Sequence, residues 1–357
     1  MAHAYGESVH VVMMGGLHLE MTLWNTLGEV LEDSGWTTAL TEAEVVSSGT
    51  ADSFLKVAHL TRTRHAHQIT LLTLHKLQKE AFLQSECNES EVEWRNNMCQ
   101  KSPTFMFWDF IVRYESLILI FVSAHREKNF SLYVKVLEKI TPLFFALDHF
   151  NYSRWVPVHI RDMKCLPGSI RDQFENQGHW VLSKTNNRFS AIPIDQAHEQ
   201  ENALVKGSGG CIGLTENPAA FRRWMLSAPE LARLKKQFEE QYFPDTDPDH
   251  PRNFQNHEQG FAAQKTFQKQ VNSLVKTFQR MGNPFLDDFP ELVTLDSRKC
   301  VDTSVALALY SLENTGIRQY QYYVVKVLEG HTVSIHEPIK KNSLALFKRP
   351  HIKATSK

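Results

Sequence analysis

Apolar positions recur at helical spacing over most of this chain. Leu19, Leu23, Leu27, Val30 and Leu31 mark the buried face of a helix over 17–33, with Gly35 just past its end. Ile69, Leu72, Thr73, Leu77 and Ala81 do the same over 66–82. The stretches 105–125 and 130–147 read as an antiparallel helix pair joined by the polar turn Arg126–Asn129, and the apolar stripe Leu132, Val136, Ile140, Leu143, Leu147 requires a partner. Aromatics at helical spacing, such as Phe107, Trp108 and Phe121, read as core. From Trp36 to about Asp148 the pattern is helical throughout, apart from Cys87–Lys101, which lacks an apolar stripe and reads as a surface loop.

A different period appears at three places. Ser8–Met14, a short β-branched run before Gly15-Gly16, reads as a buried strand. His179–Ser183 and Phe189–Ile194 flank the turn Lys184–Asn187 and read as a hairpin. A helix over 196–206 follows, then the glycine-rich turn Gly207–Gly213. Two further helices are expected, one from Glu216 with Pro218 in its first turn. The other starts at Ser227, where Ser-Ala-Pro-Glu forms a capping box. After the proline-broken linker 243–252, Phe267, Val271, Leu274 and Phe278 define a long helix over 258–281, stopped by Gly282-Asn283-Pro284.

The expected fold class is therefore α+β and predominantly helical. It has a small mixed sheet (strands near 9–14, 179–183 and 189–194) and a large helical insertion over 36–148. Residues 1–335 form one domain, and 336–357, with Lys340, Lys341, Lys348 and Arg349, form a basic, loosely ordered tail.

Composition removes several classes. A net charge of -1 gives no global attraction to nucleic acid or anionic lipid, so any such surface is a local patch. The longest apolar run, Leu117–Ser123, is far short of the roughly 20 residues needed to span a bilayer, and no secretory leader is visible. The five cysteines are dispersed, odd in number and without Cys-x-x-Cys spacing, which excludes a zinc ribbon and points to reduced thiols. The protein is expected to be intracellular, nuclear or cytoplasmic, with no membrane partner.

Candidate chemistry concentrates in 193–213. In a helix over 196–206, Asp195, Glu199 and Asn202 lie one turn apart with His198 beside them. Two readings stand: Asp195 caps the helix while His198 and Glu199 face solvent, or Asp195 and Glu199 belong to a divalent-metal site for phosphoryl transfer. A zinc protease is excluded, because Asn202 stands where His-Glu-x-x-His needs its second histidine. Gly207–Gly210 lacks the Gly-Lys-Ser/Thr ending of a nucleotide loop and reads as a helix stop. Asp148-His149 could be metal ligands, an acid–base pair or a buried polar network. Arg62, Arg64 and His65 open a helix with cations, against its dipole, which favours a nearby anion or an internal salt bridge. Arg222-Arg223-Trp224 is a second basic–aromatic spot of the kind used on nucleic acid.

The stretches Val12–Met21, Arg62–Gln68, Ala146–His149, Trp155–His159, Ile194–Gln200 and Glu337–Asn342 resemble an uncharacterised, mobile-element-derived protein family of animal genomes. The resemblance extends more weakly to ribonuclease-H-like transposases. It implies a transposon-derived, DNA-binding protein whose magnesium ligands would be Asp148, Asp195 and Glu199. His18 and His198 would then serve as acid–base or phosphate-contacting groups, and Arg62, Arg64, His65, Arg222 and Arg223 as nucleic-acid contacts. Members of that family carry further sequence on both sides, including an aspartate-bearing first strand. This chain is therefore expected to be a truncated copy with a degenerate or incomplete metal site. The alternatives are a non-enzymatic helical interaction module, in which the same residues are caps and polar core, and a hydrolase unrelated to DNA.

Overall fold

The computed structural model describes residues 11–183, 189–206, 217–242, 260–286, 289–330, 334–335, 339 and 341–342. It is an assembly of helices with one two-stranded antiparallel sheet. The central element is α6 (Pro103–Arg126), started by Ser102, whose hydroxyl accepts the Phe105 N–H, with Pro103 in its first turn. Around it pack α1 (Gly16–Leu31), α4 (Leu60–Gln84), α5 (Glu91–Lys101) and α7 (Phe130–Ala146). The expected pairing of 105–125 with 130–147 is thus present as α6 against α7. Asn129 caps α7 through the Leu132 N–H.

Both faces of α7 are covered, by α6 and α8 (Phe150–Lys164) and by α13 (Thr303–Tyr323). The α7–α13 approach is backbone to backbone: a Cβ on Gly316 would lie 2.2 Å from the Pro142 carbonyl oxygen. The short helix α3 (Ser48–Leu55) folds back on α1, α2 (Trp36–Glu42) packs on α3 and α12 (Phe261–Met281), and α12 lies along α4. One core of buried aliphatic and aromatic side chains runs through these helices, with Trp24, Trp36, Trp108, Phe105 and Phe121 almost wholly inaccessible.

Several expectations are corrected. The described part of the run before Gly15-Gly16 is not a strand: residues 11–15 pair with nothing in a sheet, and Val11, Met13 and Met14 lean on the core as a lead into α1, while residues 8–10 lie outside the described residues. The sheet is antiparallel rather than mixed, β1 (Val181–Ser183) against β2 (Ala191–Pro193), so the helices of 36–148 are the body of the fold and not an insertion into a sheet. Cys87–Lys101 contains α5, whose start is a full Ser90/Glu93 capping box and whose one buried side chain is Trp94. The two helices expected from 216 and 227 are one, α11 (Pro218–Tyr242), with Pro229 inside it. Helix α9 (Gly168–Asp172) and a π-helical turn, Gln173–Gln177, lead to the hairpin, and α10 (Ile194–Lys206) leaves it. The expected turn 184–187, the glycine-rich turn 207–213 and the linker 243–252 lie outside the described residues. No described helix is long and apolar enough to cross a membrane, and the four described cysteines are free thiols.

Candidate functional site

Three segments distant in sequence, around 15–20, 62–67 and 193–196, meet at the start of α1. Gly15 precedes that helix and has no side chain to cap it. The cap comes instead from Asp195, in the first turn of α10: Oδ1 accepts the Leu17 N–H at 3.1 Å and Oδ2 the His18 N–H at 3.2 Å. The Nδ1 of His18 stands 2.9 Å from Oδ2. Close approach demands the two glycines. A Cβ on Gly15 would lie 2.3 Å from Asp195 Oδ2, and one on Gly16 would lie 2.5 Å from His125 Nε2. Burial pushes the Asp195 carboxyl up, but the hydrogen bonds from the His18 ring and the two backbone N–H groups outweigh it and hold its pKa below the ordinary aspartate value. Asp195 is an anion at neutral pH, placed where a helix start favours one.

One turn further along α1, Glu20 takes Arg64 of α4 in a two-toothed pair, Nε to Oε1 at 2.7 Å and Nη2 to Oε2 at 2.8 Å. The Trp24 indole N–H also donates to Glu20 Oε1, at 3.1 Å. Glu20 and Arg64 are 4% and 8% exposed. Arg64 is therefore held inside, and cannot lie along a surface-bound strand as the sequence suggested. Its charge against the α4 dipole is answered by Glu20.

Next along α4 is a pair that the sequence did not reveal. His67 Nδ1 lies 2.7 Å from Glu115 Oε1 of α6, both side chains wholly buried. The imidazole is stacked between Trp24 and Trp36, with ring centroids 4.3 and 4.7 Å away. Burial lowers the His67 pKa to about 3 and raises that of Glu115 well above the usual carboxylate range. Neither His67 Nε2 nor Glu115 Oε2 has a hydrogen-bond partner among the described residues. Behind the hairpin, His125 and Tyr133 share an aromatic cluster with Trp180, and the Tyr133 hydroxyl meets His159 Nε2 at 2.7 Å. The gap bordered by Gly16, Glu20, Arg64, His125 and Pro193 has only about 10 Å³ of free space, enough for about one water. This is a locked polar network rather than a substrate pocket.

The remaining expected site residues are dispersed. Asp148 sits at positive φ in the α7–α8 turn, and its Oδ1 accepts the Asn342 backbone N–H at 2.8 Å. The Asn342 amide in turn donates to the Phe145 carbonyl, which ties the segment after α13 to the end of α7. His149 lies 3.1 Å from Thr26 Oγ1 of α1. His198 and Glu199 are exposed on α10. Among the described residues no three His, Cys, Asp or Glu side chains form a group that could hold a metal. Asp148, Asp195 and Glu199 thus do not assemble as the expected magnesium ligands. Of the expected nucleic-acid contacts, Arg62, Arg222 and Arg223 are exposed, and His65 is tied to Gln270 of α12 at 3.0 Å.

One basic surface was not among the expected sites. Helix α12 contains no acidic residue, and Lys265, Lys269, Lys276 and Arg280 recur at spacings that put them on one stripe. Arg280 is paired with Glu42, whereas Lys265, Lys269 and Lys276 are exposed and have no ion pair among the described residues. Gln264, Gln268 and Asn272 flank the stripe. The signal was in the sequence, as the absence of Asp and Glu from an otherwise charged amphipathic helix.

The chain belongs to the DUF8702 family, a domain of unknown function, whose model matches residues 78–355. That span takes in the last seven residues of α4 and every later helix and strand, including α12, while Glu20, Arg64 and His67 precede it. No curated protein and no solved structure matches the chain.

Proposed function

We propose that this DUF8702 protein is a non-catalytic helical module that binds nucleic acid through the outward stripe of α12. The observation that carries this reading is the acid-free helix, with three exposed lysines that no carboxylate neutralises among the described residues. From Lys265 to Lys276 the stripe runs about 16 Å along the helix, a span that matches about five successive base steps of a duplex. Amide side chains beside it supply donors for phosphate and sugar oxygens, contacts that position a duplex without reading its sequence. Arg222 and Arg223, exposed on α11, are secondary contacts. DNA as the partner accords with the resemblance to mobile-element-derived proteins. Asp148, Asp195 and Glu199 carry no step in this reading. Asp148 and Asp195 already hold backbone N–H groups, and Glu199 faces solvent.

The test is binding of a fluorescent DNA duplex by the full chain at low salt, followed by anisotropy. The triple variant Lys265→Glu, Lys269→Glu, Lys276→Glu is expected to lose binding while keeping its helical circular dichroism. Equal affinity of variant and parent would remove the proposal.

A further inference from the structure

A cavity of about 530 Å³ opens between the turn before α3 and the start of α4, within the size range of small-molecule sites. It is lined by the apolar Val45 and Val46 and the fully buried Phe54, by the cations Arg62 and Arg64, and by the His65 imidazole. No carboxylate lines it among the described residues. Arg62 is exposed and makes no hydrogen bond or ion pair with the described residues. Arg64 is more than nine-tenths buried; Glu20 occupies its Nε and Nη2, and its Nη1 has no partner among the described residues. A guanidinium oriented by a two-toothed carboxylate, with one nitrogen left over, is a preorganised anion donor.

Ser47 and Thr50 add hydroxyls to the rim. Both adjoining helices also begin without a side-chain cap, α3 after Ser47 and α4 after His59, so first-turn N–H groups of both remain to be satisfied. Arg62, which opens α4 against its dipole and has no ion-pair partner among the described residues, thereby acquires a reason.

We infer that this cavity binds a small phosphomonoester carrying a compact apolar or planar group. The phosphate meets Arg62 and the free nitrogen of Arg64, and the apolar part lies against Val45 and Val46. A bare phosphate leaves that apolar wall wet, and an uncharged analogue leaves Arg62 unanswered, so affinity requires both parts. The site is separate from the α12 stripe, so either reading can fail without the other.

The experiment is isothermal titration of the full chain with phenyl phosphate, inorganic phosphate and phenol at matched ionic strength. Phenyl phosphate is expected to bind saturably at one site and more tightly than inorganic phosphate, with no saturable binding of phenol. Arg62→Ala removes a charge-assisted bond and should weaken phenyl phosphate about tenfold or more. Thr50→Glu, which sets a carboxylate on the rim, should weaken it at least as much. Lys265→Glu/Lys269→Glu/Lys276→Glu should leave it unchanged. The inference is overturned by the absence of saturable binding, by inorganic phosphate binding as tightly as phenyl phosphate, by unchanged affinity in both cavity variants, or by its loss in the α12 variant.

Discussion

At the scale of single residues, His67 and Glu115 form the most demanding interaction in the molecule, because two ionisable groups share one wholly buried site. Burial acts on both in the direction of neutrality. The pair therefore keeps one proton on Glu115, which donates to Nδ1 of His67. Unfolded, the two groups titrate near 4.5 and 6.5. Between those values the unfolded chain also holds one proton on the pair, and stability is independent of pH on its account. Above pH 6.5 the unfolded pair has lost the proton that the folded pair retains, so stability falls as pH rises. Below 4.5 the unfolded pair takes up a second proton, and stability falls as pH drops. In Glu115→Gln an amide N–H replaces the acid as donor and the alkaline loss disappears. The stability of the parent relative to this variant, from urea midpoints at pH 6.5 to 8.5, should decline by up to about 1.4 kcal/mol per pH unit; parallel profiles would contradict the assignment. The Glu20–Arg64 pair predicts a different result. Glu20→Ala leaves a buried guanidinium unanswered and should cost about 3–5 kcal/mol, whereas the double variant Glu20→Ala, Arg64→Met should recover much of the loss in the same urea assay.

At the scale of elements, the helix start supplied from a distance is what fastens the hairpin and α10 to the core. Asp195→Ala removes the acceptor of two helix N–H groups and should cost about 1–2 kcal/mol. Because the Asp195 carboxyl is held below its ordinary value of 3.8, its contribution is present above that pH and lost as pH falls through the lowered value. Gly15→Ala drives a methyl into the same carboxylate and should destabilise by about 1–3 kcal/mol, with hydrogen exchange of α10 accelerated more than that of α6. These elements also show what a single sequence reveals. Helices α6, α7 and α12 were legible because each has an apolar stripe at a 3.6-residue period. The sequence reading did not recover α5, since only Trp94 of its side chains is buried, although its Ser90-x-x-Glu93 box was a readable start. Residues 11–14 misled because a β-branched run looks the same as a strand or as an extended lead lying on the core. The Ser227 capping box misled because the described side chains of α11 are mostly exposed, and an exposed helix can absorb Pro229 by leaving a carbonyl to water.

At the scale of the whole molecule, the candidate residues divide by how far apart in sequence their partners lie. His18 and Asp195 could each be singled out from local chemistry. Their meeting across 177 positions, and that of Glu20 with Arg64 across 44, exists only once α1, α4 and α10 have packed. The fold uses most of these groups to join helices, which is why the expected magnesium ligands are apart and a patch with no structural employment, the α12 lysines, carries the proposed function. With a net charge of -1, the chain has no general attraction to polyanions that could imitate a specific surface. The most direct measurement is therefore the salt dependence of duplex DNA binding by the parent chain and by the charge-neutral variant Lys265→Gln/Lys269→Gln/Lys276→Gln. If each lysine neutralises one phosphate, the parent should show log K falling linearly with log salt, with a slope steeper than that of the variant by about 2.7. Identical slopes, or a parent chain that does not bind at low salt, would contradict the account.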